Sequence, residues 1–594
     1  MIAMQKEIIT NNTPEKWEQI KTHPFYEQEL LKLISYGEEY LSSPVPPLPL
    51  SSYLRYMRDG NRSEYERPYF ERRRRIARLA VLCRLYGEKY TDALENLIWA
   101  VLEESTWVVP AHLEDGYANA HKRETFLDLF STETGALLSL VYHILGERLT
   151  DFVRVRIAET VRSRIIESFF TEHFWWMDGP NNWGAVCASQ VALCMMVFGS
   201  EEEFRRAEPS FNRTMNLFLA SYGKDGCCLE GLGYWEYGFG SFLDYADAVR
   251  NYSEGRLIFS HTEQTLSAEQ REPAHDHERG VIDYFKRDDV KRAALFAQNV
   301  RLTGDIAVSF SDGGEAYYVT RSHFYLLKRE YPDAISYPDA SFFIQTASAG
   351  SLGIIRHFLS SDPEAEYGAS MKKETFFYEE GQWFIHKNDR YSLAAKGGCN
   401  AEAHNHNDVG SFLIAAKEGS ILCDLGAGEY TRQYFIPETR YDYLVNSSRG
   451  HSLPIINGEL QKIGETRALA KKGDDTHFSV EYGFAYELPI LKEARRSFVC
   501  EDAAIIITDS FLFDETPKSL IDRFVSRRKP IVAQGKIQIG NARLTYNEEL
   551  LDVTIGEEVY SDHACMPQTA YFIDFTPKNL ATTLTFTYIV DILD

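Results

Sequence analysis

The sequence predicts an α+β multidomain chain, with a helical domain over residues 1–345 followed by an antiparallel, sandwich-like β domain over 346–594. Three observations carry this. At 594 residues the chain is longer than one hydrophobic core ordinarily supports. From about residue 15 to 340 its apolar positions recur at helical spacing, whereas from about Phe342 they fall into short β-rich runs. Turn residues punctuate the two halves differently: Gly146, Gly179-Pro180, Gly199 and Gly223 separate long periodic segments, while Lys417-Glu418-Gly419 reverses a strand.

In the first half, Arg74-Ile76-Ala77-Leu79-Ala80-Leu82-Cys83 carries an apolar face at helical period. Phe126–Leu145, Asp151–Phe169, Ala188–Phe198 and Phe211–Ala220 do the same. Helices of similar length joined by short loops suggest stacked helical hairpins, but no repeat is visible, so a regular solenoid is not supported. In the second half, strands are expected at Ser351–Ile355, Gln382–His386, Ser411–Ala416, Ser420–Asp424, Ser497–Cys500, Ala503–Thr508 and Ala581–Leu593. A helical segment before a strand-rich one gives two layers of different kind in series.

Composition narrows the function classes. With 44% hydrophobic and 25% charged residues, the chain is an ordinary folded protein. A net charge of −24, from 63 basic and 87 acidic residues, argues against nonspecific nucleic-acid or anionic-membrane binding. It leaves room for a polyanion held in a locally basic cleft. The one dense basic run, Arg72 to Arg75, opens an amphipathic helix and reads as a solvated face. The N-terminus lacks an apolar secretory region behind a basic start, and no apolar run is long enough to span a bilayer. Nine scattered cysteines without CxxC spacing fit a reduced, cytoplasmic compartment; a periplasmic or secreted address applies if a signal has been removed.

The chemistry concentrates in four segments. Ala403-His404-Asn405-His406-Asn407-Asp408 is followed by an apolar hairpin, Asp424, and later His451. Imidazoles and a carboxylate of this kind suit a divalent metal, zinc best, with manganese or calcium as alternatives. Trp175-Trp176-Met177-Asp178-Gly179-Pro180-Asn181-Asn182-Trp183 offers amides for a carboxylate or hydroxyls and indoles for sugar rings; equally, it reads as buried indole and helix caps. Glu230-Gly231-Leu232-Gly233-Tyr234-Trp235-Glu236-Tyr237 is a glycine-rich loop that can present a tyrosine to a cleft. A phenol ordinarily ionises near pH 10, so without a cationic or donor neighbour Tyr234 and Tyr237 read as packing residues. Asn446 to Ser452 brings His451 into a turn-rich setting.

Taken in order, Asn181-Asn182-Trp183, Glu230-Gly-x-Gly-Tyr234, His404-Asn-His-Asn-Asp408, Asp424 with the following Gly-x-Gly-Glu-Tyr, and Asn446 through His451 resemble the heparinase II/III family of polysaccharide lyases, over roughly residues 100–594. The resemblance implies an incomplete N-terminal α/α toroid before the antiparallel β-sandwich. It implies β-elimination at C4 of a uronic acid, in which the enolate-like charge that develops must be stabilised by a donor beside the carboxylate. On this pattern Asn182 is the neutraliser, with Asn181 the lesser choice, and Tyr234 and His404 share the proton transfers. Tyr237 is the fallback tyrosine. His406, Asp424 and His451 bind the metal, whose duty is mainly to tie loops together and orient His404. Trp183, Trp235, Glu230, His112 and Arg449 are the remaining substrate-contact candidates. Asparagine, where some members carry histidine as neutraliser, leaves the preferred uronate epimer open.

The expected substrate is therefore an acidic polysaccharide or its oligosaccharides: hyaluronan, chondroitin sulfate or heparan sulfate first, alginate or another polyuronate second. A metal-dependent hydrolase is the competing reaction class, with His404, His406, Asp424 and His451 holding a metal that activates water. A fold-retaining carbohydrate-binding protein is the non-enzymatic alternative. A sandwich edge or toroid face gives room for a homodimer, although no segment specifies one.

Overall fold

A computed structural model describes residues 7–113, 120–253, 282–345, 350–370 and 372–593. The chain divides into two compact units. One comprises Met1–Ser221, Glu236–Lys291 and Val319–Tyr367; the other comprises Tyr222–Trp235, Arg292–Tyr318 and Gly368–Asp594. The division is thus not a single cut, and the expected boundary at 345/346 touches residues outside those described.

The first unit is helical. Helix α1 (Ser63–Tyr86) buries Ile76, Leu79, Ala80, Leu82 and Cys83. Its basic run is not a bare solvated face: Arg73 is buried and holds Glu104 through both arms at 2.6 and 3.0 Å. Helix α2 (Leu129–Leu145) starts in a capping box formed by Asp128 and Ser131 and stops at Gly146, whose φ of 53° few other residues adopt cheaply. Helix α3 (Asp151–Val161) runs on through a π turn, Arg162–Glu167. Helix α4 (Asn182–Phe198) is buried along almost its whole length and lies against α2 and against α5 (Glu201–Ala220).

One expectation fails here. Ser351–Ile355 is not a strand but the start of helix α6 (Ser351–Ser360). A short apolar run cannot be told from a buried helix by periodicity alone. The continuation decides it, because Phe358 and Leu359 join Leu352, Ile354 and Ile355 on the buried side at helical spacing.

In the second unit, β1 (Thr375–Tyr378), β2 (Trp383–Lys387), β3 (Tyr391–Lys396), β4 (Phe412–Ala416) and β5 (Gly419–Leu422) form a five-stranded antiparallel meander. The following strands are β6 (Ile455–Ile456), β7 (Leu469–Lys472), β8 (His477–Glu481), β9 (Leu491–Cys500), β10 (Ala504–Phe513), β11 (Leu520–Ser526), β12 (Ile531–Ala533), β13 (Lys536–Ile539), β14 (Ala542–Thr545), β15 (Leu551–Ser561), β16 (Pro567–Pro577) and β17 (Thr583–Ile592). They make an eight-stranded sheet, ordered β12-β13-β14-β17-β10-β9-β8-β7, and a four-stranded sheet, β15-β16-β11-β6.

Alternation fixes the inner faces, with Phe498 of β9, Ile507 and Phe511 of β10 and Tyr588 of β17 in one core with Phe412, Phe524 and Phe575. The core also holds an ion pair. Register sets Arg496 directly opposite Asp509, and the guanidinium grips that carboxylate at 2.7 Å through two nitrogens. Its remaining arm donates to the backbone carbonyls of Gly410 and Ser452. The core strand thereby anchors the two loops that carry His406 and His451. All nine cysteines are free, and no described helix is long and apolar enough to cross a membrane.

Candidate active site and metal centre

The candidate residues of the second unit converge through its loops. The β3–β4 connection carries His404 and His406, and the β4–β5 hairpin then returns the chain to Asp424. The Asn407 N–H donates to the Asn446 carbonyl at 2.8 Å, which draws in the segment ending at His451. Asp408 is structural, since its carboxylate pairs with fully buried Lys396 at 2.7 Å. His404 itself has a left-handed backbone, φ 52°, a conformation that persists only where surroundings enforce it.

A residue that sequence reasoning missed organises this site. Asp312 is fully buried. Its Oδ2 accepts from His404 Nδ1 at 2.8 Å and from the Tyr430 hydroxyl at 2.9 Å; its Oδ1 accepts from His406 Nε2 at 3.0 Å and from the Tyr434 hydroxyl. Arg440 stands 3.5 Å from Oδ2. Burial alone would raise this carboxyl, but the hydrogen bonds from His404 and His406 outweigh it and hold it well below the usual carboxylate range. An ionised carboxylate only accepts, so each histidine nitrogen facing it carries the hydrogen.

Tyr234 lies beside His404, with ring centroids 4.3 Å apart and its hydroxyl 3.2 Å from Nδ1. Its closer partner is the Tyr430 hydroxyl at 2.8 Å. Because Tyr430 gives its own hydrogen to Asp312, Tyr234 is the donor in that pair. Burial, followed by the negative charge of Asp312, pushes the Tyr234 phenol well above its ordinary range. The polar neighbour that the sequence could not supply is Tyr430, which accepts from Tyr234 and leaves the phenol protonated. Glu230 places Oε2 3.7 Å from His404 Nε2. That oxygen is buried without a hydrogen-bond partner, and burial raises its carboxyl.

His406, Asp424 and His451 are fully buried, and each offers a ligand atom within 4.8 Å of the others. Their chemistry fits a divalent cation. His406 spends Nε2 on Asp312, which leaves Nδ1 buried and without a partner. His451 Nε2 donates to the Val445 carbonyl at 2.8 Å, and its Nδ1 faces Asp424 Oδ2 at 2.9 Å. A bare imidazole nitrogen against a carboxylate is repulsive unless a proton or a metal lies between them.

No protein-family model and no curated protein matches the sequence. Solved structures do. A heparinase III with methylated lysines aligns over 98% of this chain and 92% of its own, with a TM-score of 0.58 at 11% identity. A mutant of the heparan sulfate lyase HepC from Pedobacter heparinus aligns over 99% and 92%, with 0.56 at 12%. The Streptomyces coelicolor A3 chondroitin AC lyase in complex with chondroitin sulphate aligns over 97% and 82%, with 0.53 at 10%. The fold is that of these lyases.

In this polysaccharide-lyase fold, the other expected residues belong mostly to the helical unit. Asn181 caps α4, its side chain accepting from the Gly184 N–H at 3.3 Å, which sets Asn182 as the first helical residue, 8% exposed. His112 donates from Nδ1 to Asp128, the residue that caps α2, at 2.7 Å. Its ring stacks on Phe130 and meets Trp183 at 4.7 Å, and Trp183 in turn meets Trp175, which is 54% exposed. His112, Trp183 and Trp175 therefore form one aromatic cluster. Tyr237 is half-buried, one helical turn after Tyr234.

One contact candidate is revised. Trp235 is a core residue, fully buried with its indole N–H on the Ala293 carbonyl at 2.8 Å. The Arg449 guanidinium pairs with Glu558 at 2.5 Å, its side chain 36% exposed. The glycines of the tyrosine loop have a steric cause as well. Gly231 has φ 92°, and a Cβ there would stand 3.1 Å from Gly313 Cα; one on Gly426 would strike the Gly313 carbonyl. Both loops close on the residue beside Asp312.

Proposed function

We propose that this protein is a polysaccharide lyase that cleaves a uronate-containing glycosaminoglycan, or its oligosaccharides, by β-elimination. The observation that carries the reading is the pairing of a protonated phenol, Tyr234, with His404, a histidine whose ring is tied to a buried carboxylate. Elimination needs a base for the C5 proton and an acid for the departing O4. With its hydrogen on Nδ1, His404 offers Nε2 as the base; Tyr234 supplies the leaving oxygen with a proton. Their closeness supports the pairing, with ring centroids 4.3 Å apart. Asn182 is assigned the donor role at the uronate carboxylate, supported by the family pattern and by the amide's chemistry.

His406, Asp424 and His451 would hold a divalent metal, zinc on ligand chemistry. Its contribution when bound is to fix the β3–β4 loop and neutralise Asp424. The His404 ring has Asp312 and Glu230 beside its two nitrogens, which supports a proton-transfer role over the ligand role that a hydrolytic centre would give it.

The test is near-ultraviolet absorbance over time with hyaluronan, chondroitin sulfates, heparan sulfate, heparin and alginate oligosaccharides. An unsaturated uronate absorbs there and a hydrolysis product does not. A rise on one glycosaminoglycan class supports the reading. New reducing ends without a rise make the protein a hydrolase and overturn it.

A further inference from the structure

A histidine ring has two nitrogens, and the partner of one decides what the other can do. Two histidines of the β3–β4 loop share a single partner. Asp312 meets His404 with Oδ2 and His406 with Oδ1. It is fully buried while the His404 side chain is 26% exposed, so Asp312 acts only through others. Four hydrogen bonds saturate its lone pairs, two of them from Tyr430 and Tyr434, which leaves the carboxylate no freedom to turn. Behind it, Gly231 and Gly426 close on Gly313, which seats the backbone that carries it.

We propose that Asp312 is a positioning residue that sets both tautomers at once: it holds the hydrogen of His404 on Nδ1, leaving Nε2 as a base, and the hydrogen of His406 on Nε2, leaving Nδ1 for a divalent cation. The first half rests on the lyase reading; the second does not. The arrangement joins the reacting histidine to the metal centre by one rigid group, so the two cannot be set independently. An amide in place of the carboxylate has one accepting and one donating end. Whichever way it turns, a histidine N–H meets an N–H, and that ring must move its hydrogen to the other nitrogen.

The experiment compares the full-length wild type with Asp312→Asn, both dialysed against zinc chloride and then against metal-free buffer. It reads zinc per chain, 15N shifts of histidine-labelled protein, and kcat and KM on the uronate polymer the wild type cleaves. In the wild type the spectra should show His404 protonated on Nδ1 and His406 on Nε2. In Asp312→Asn one of the two changes tautomer. Loss then follows in the matching readout: kcat falls about 100-fold or more with KM within about threefold, as expected for a misplaced tautomer, or zinc falls below half the wild-type content. Asp312→Glu, which keeps two accepting oxygens, recovers at least about tenfold of the lost kcat, or the zinc.

Wild-type tautomers opposite to these overturn the proposal whether or not any variant folds, as do kcat and zinc within twofold of wild type in Asp312→Asn. A wild type that cleaves no uronate polymer defeats the lyase reading alone, because zinc content and the tautomers still decide the role of Asp312.

Discussion

Replacing Tyr234 with phenylalanine removes one oxygen and leaves every ring contact in place. The hydroxyl has two neighbours, Tyr430 at 2.8 Å and His404 Nδ1 at 3.2 Å. Neither is orphaned by its loss, since Tyr430 still donates to Asp312 and His404 Nδ1 still has Oδ2. The cost in stability is therefore that of one ordinary hydrogen bond, about 1 kcal/mol. In a chain of this size it lowers Tm by about 2 °C or less. The kinetic effect is of another order. A positioned general acid contributes about 10²–10⁴ in rate, which at 1.36 kcal/mol per decade is about 3–5 kcal/mol of barrier. The expected variant is folded, binds zinc as the wild type does, and forms unsaturated product at least about 100-fold more slowly with KM little changed. The assay is initial rate from near-ultraviolet absorbance, with Tm and zinc content measured on the same preparation. A variant within tenfold of wild-type kcat would refute the assignment of Tyr234 as the acid, and a Tm loss of 10 °C would show that the hydroxyl carries structure.

His406→Ala should abolish stoichiometric zinc and lower Tm. A chelator should then destabilise the wild type toward the variant and leave the variant unmoved, because a ligand bound at 1,000 times its Kd contributes about 4 kcal/mol; undiminished zinc content would remove His406 from the ligand set. Gly231→Ala imposes a side chain at φ 92° and 3.1 Å from Gly313, a strain of about 1–3 kcal/mol at the residue that seats Tyr234. Tm and kcat should fall together, and wild-type values of both would show that the loop can shift freely. His143 on α2 is held by burial at a pKa of about 4, against 6.5 when free, and its Nδ1 has no hydrogen-bond partner. The unfolded chain takes up the proton first, so this contribution is complete above pH 6.5 and is lost as the pH falls toward 4. After allowance for a partly exposed ring it amounts to about 2 kcal/mol. The stability gap between His143→Phe and wild type should move in the variant's favour by that amount between pH 7 and pH 4; a gap independent of pH would contradict it.

What the sequence disclosed follows the range of the interactions concerned. The helices α1 to α5 and the strands β2, β4, β5, β9, β10 and β17 were legible because burial repeats at 3.6 or 2 residues, a pattern contained within each segment. The nearness of His406 to Asp424 was legible because an apolar hairpin folds the chain back between them, whereas the choice of His406, Asp424 and His451 as the metal-capable set came from the family resemblance. Asp312 offered no such sign. It stands in Ser311-Asp312-Gly313-Gly314, which by local pattern is a surface turn, and all five groups that meet it lie about 90 or more residues later in the chain. The same holds for the whole Arg292–Tyr318 segment, whose start reads as one more helix of the first domain. Its partners are in the β unit: Asn299 donates to the Tyr378 hydroxyl at 3.0 Å, the buried ammonium of Lys387 donates to the Asn299 and Arg301 carbonyls, and Phe296 and Phe310 pack on Trp383. Trp235 was misjudged for the converse reason, since an indole beside a candidate tyrosine has the same local signature whether it faces a cleft or the core, and only the distant Ala293 carbonyl settles it. The residues proposed to do chemistry were thus reached through the order of motifs that carries the family resemblance, while the residue proposed to orient them is an unremarkable aspartate. Its importance lies in being the one acceptor that two histidines, two tyrosines and an arginine all address, a property of the folded unit with no image in any short stretch of sequence.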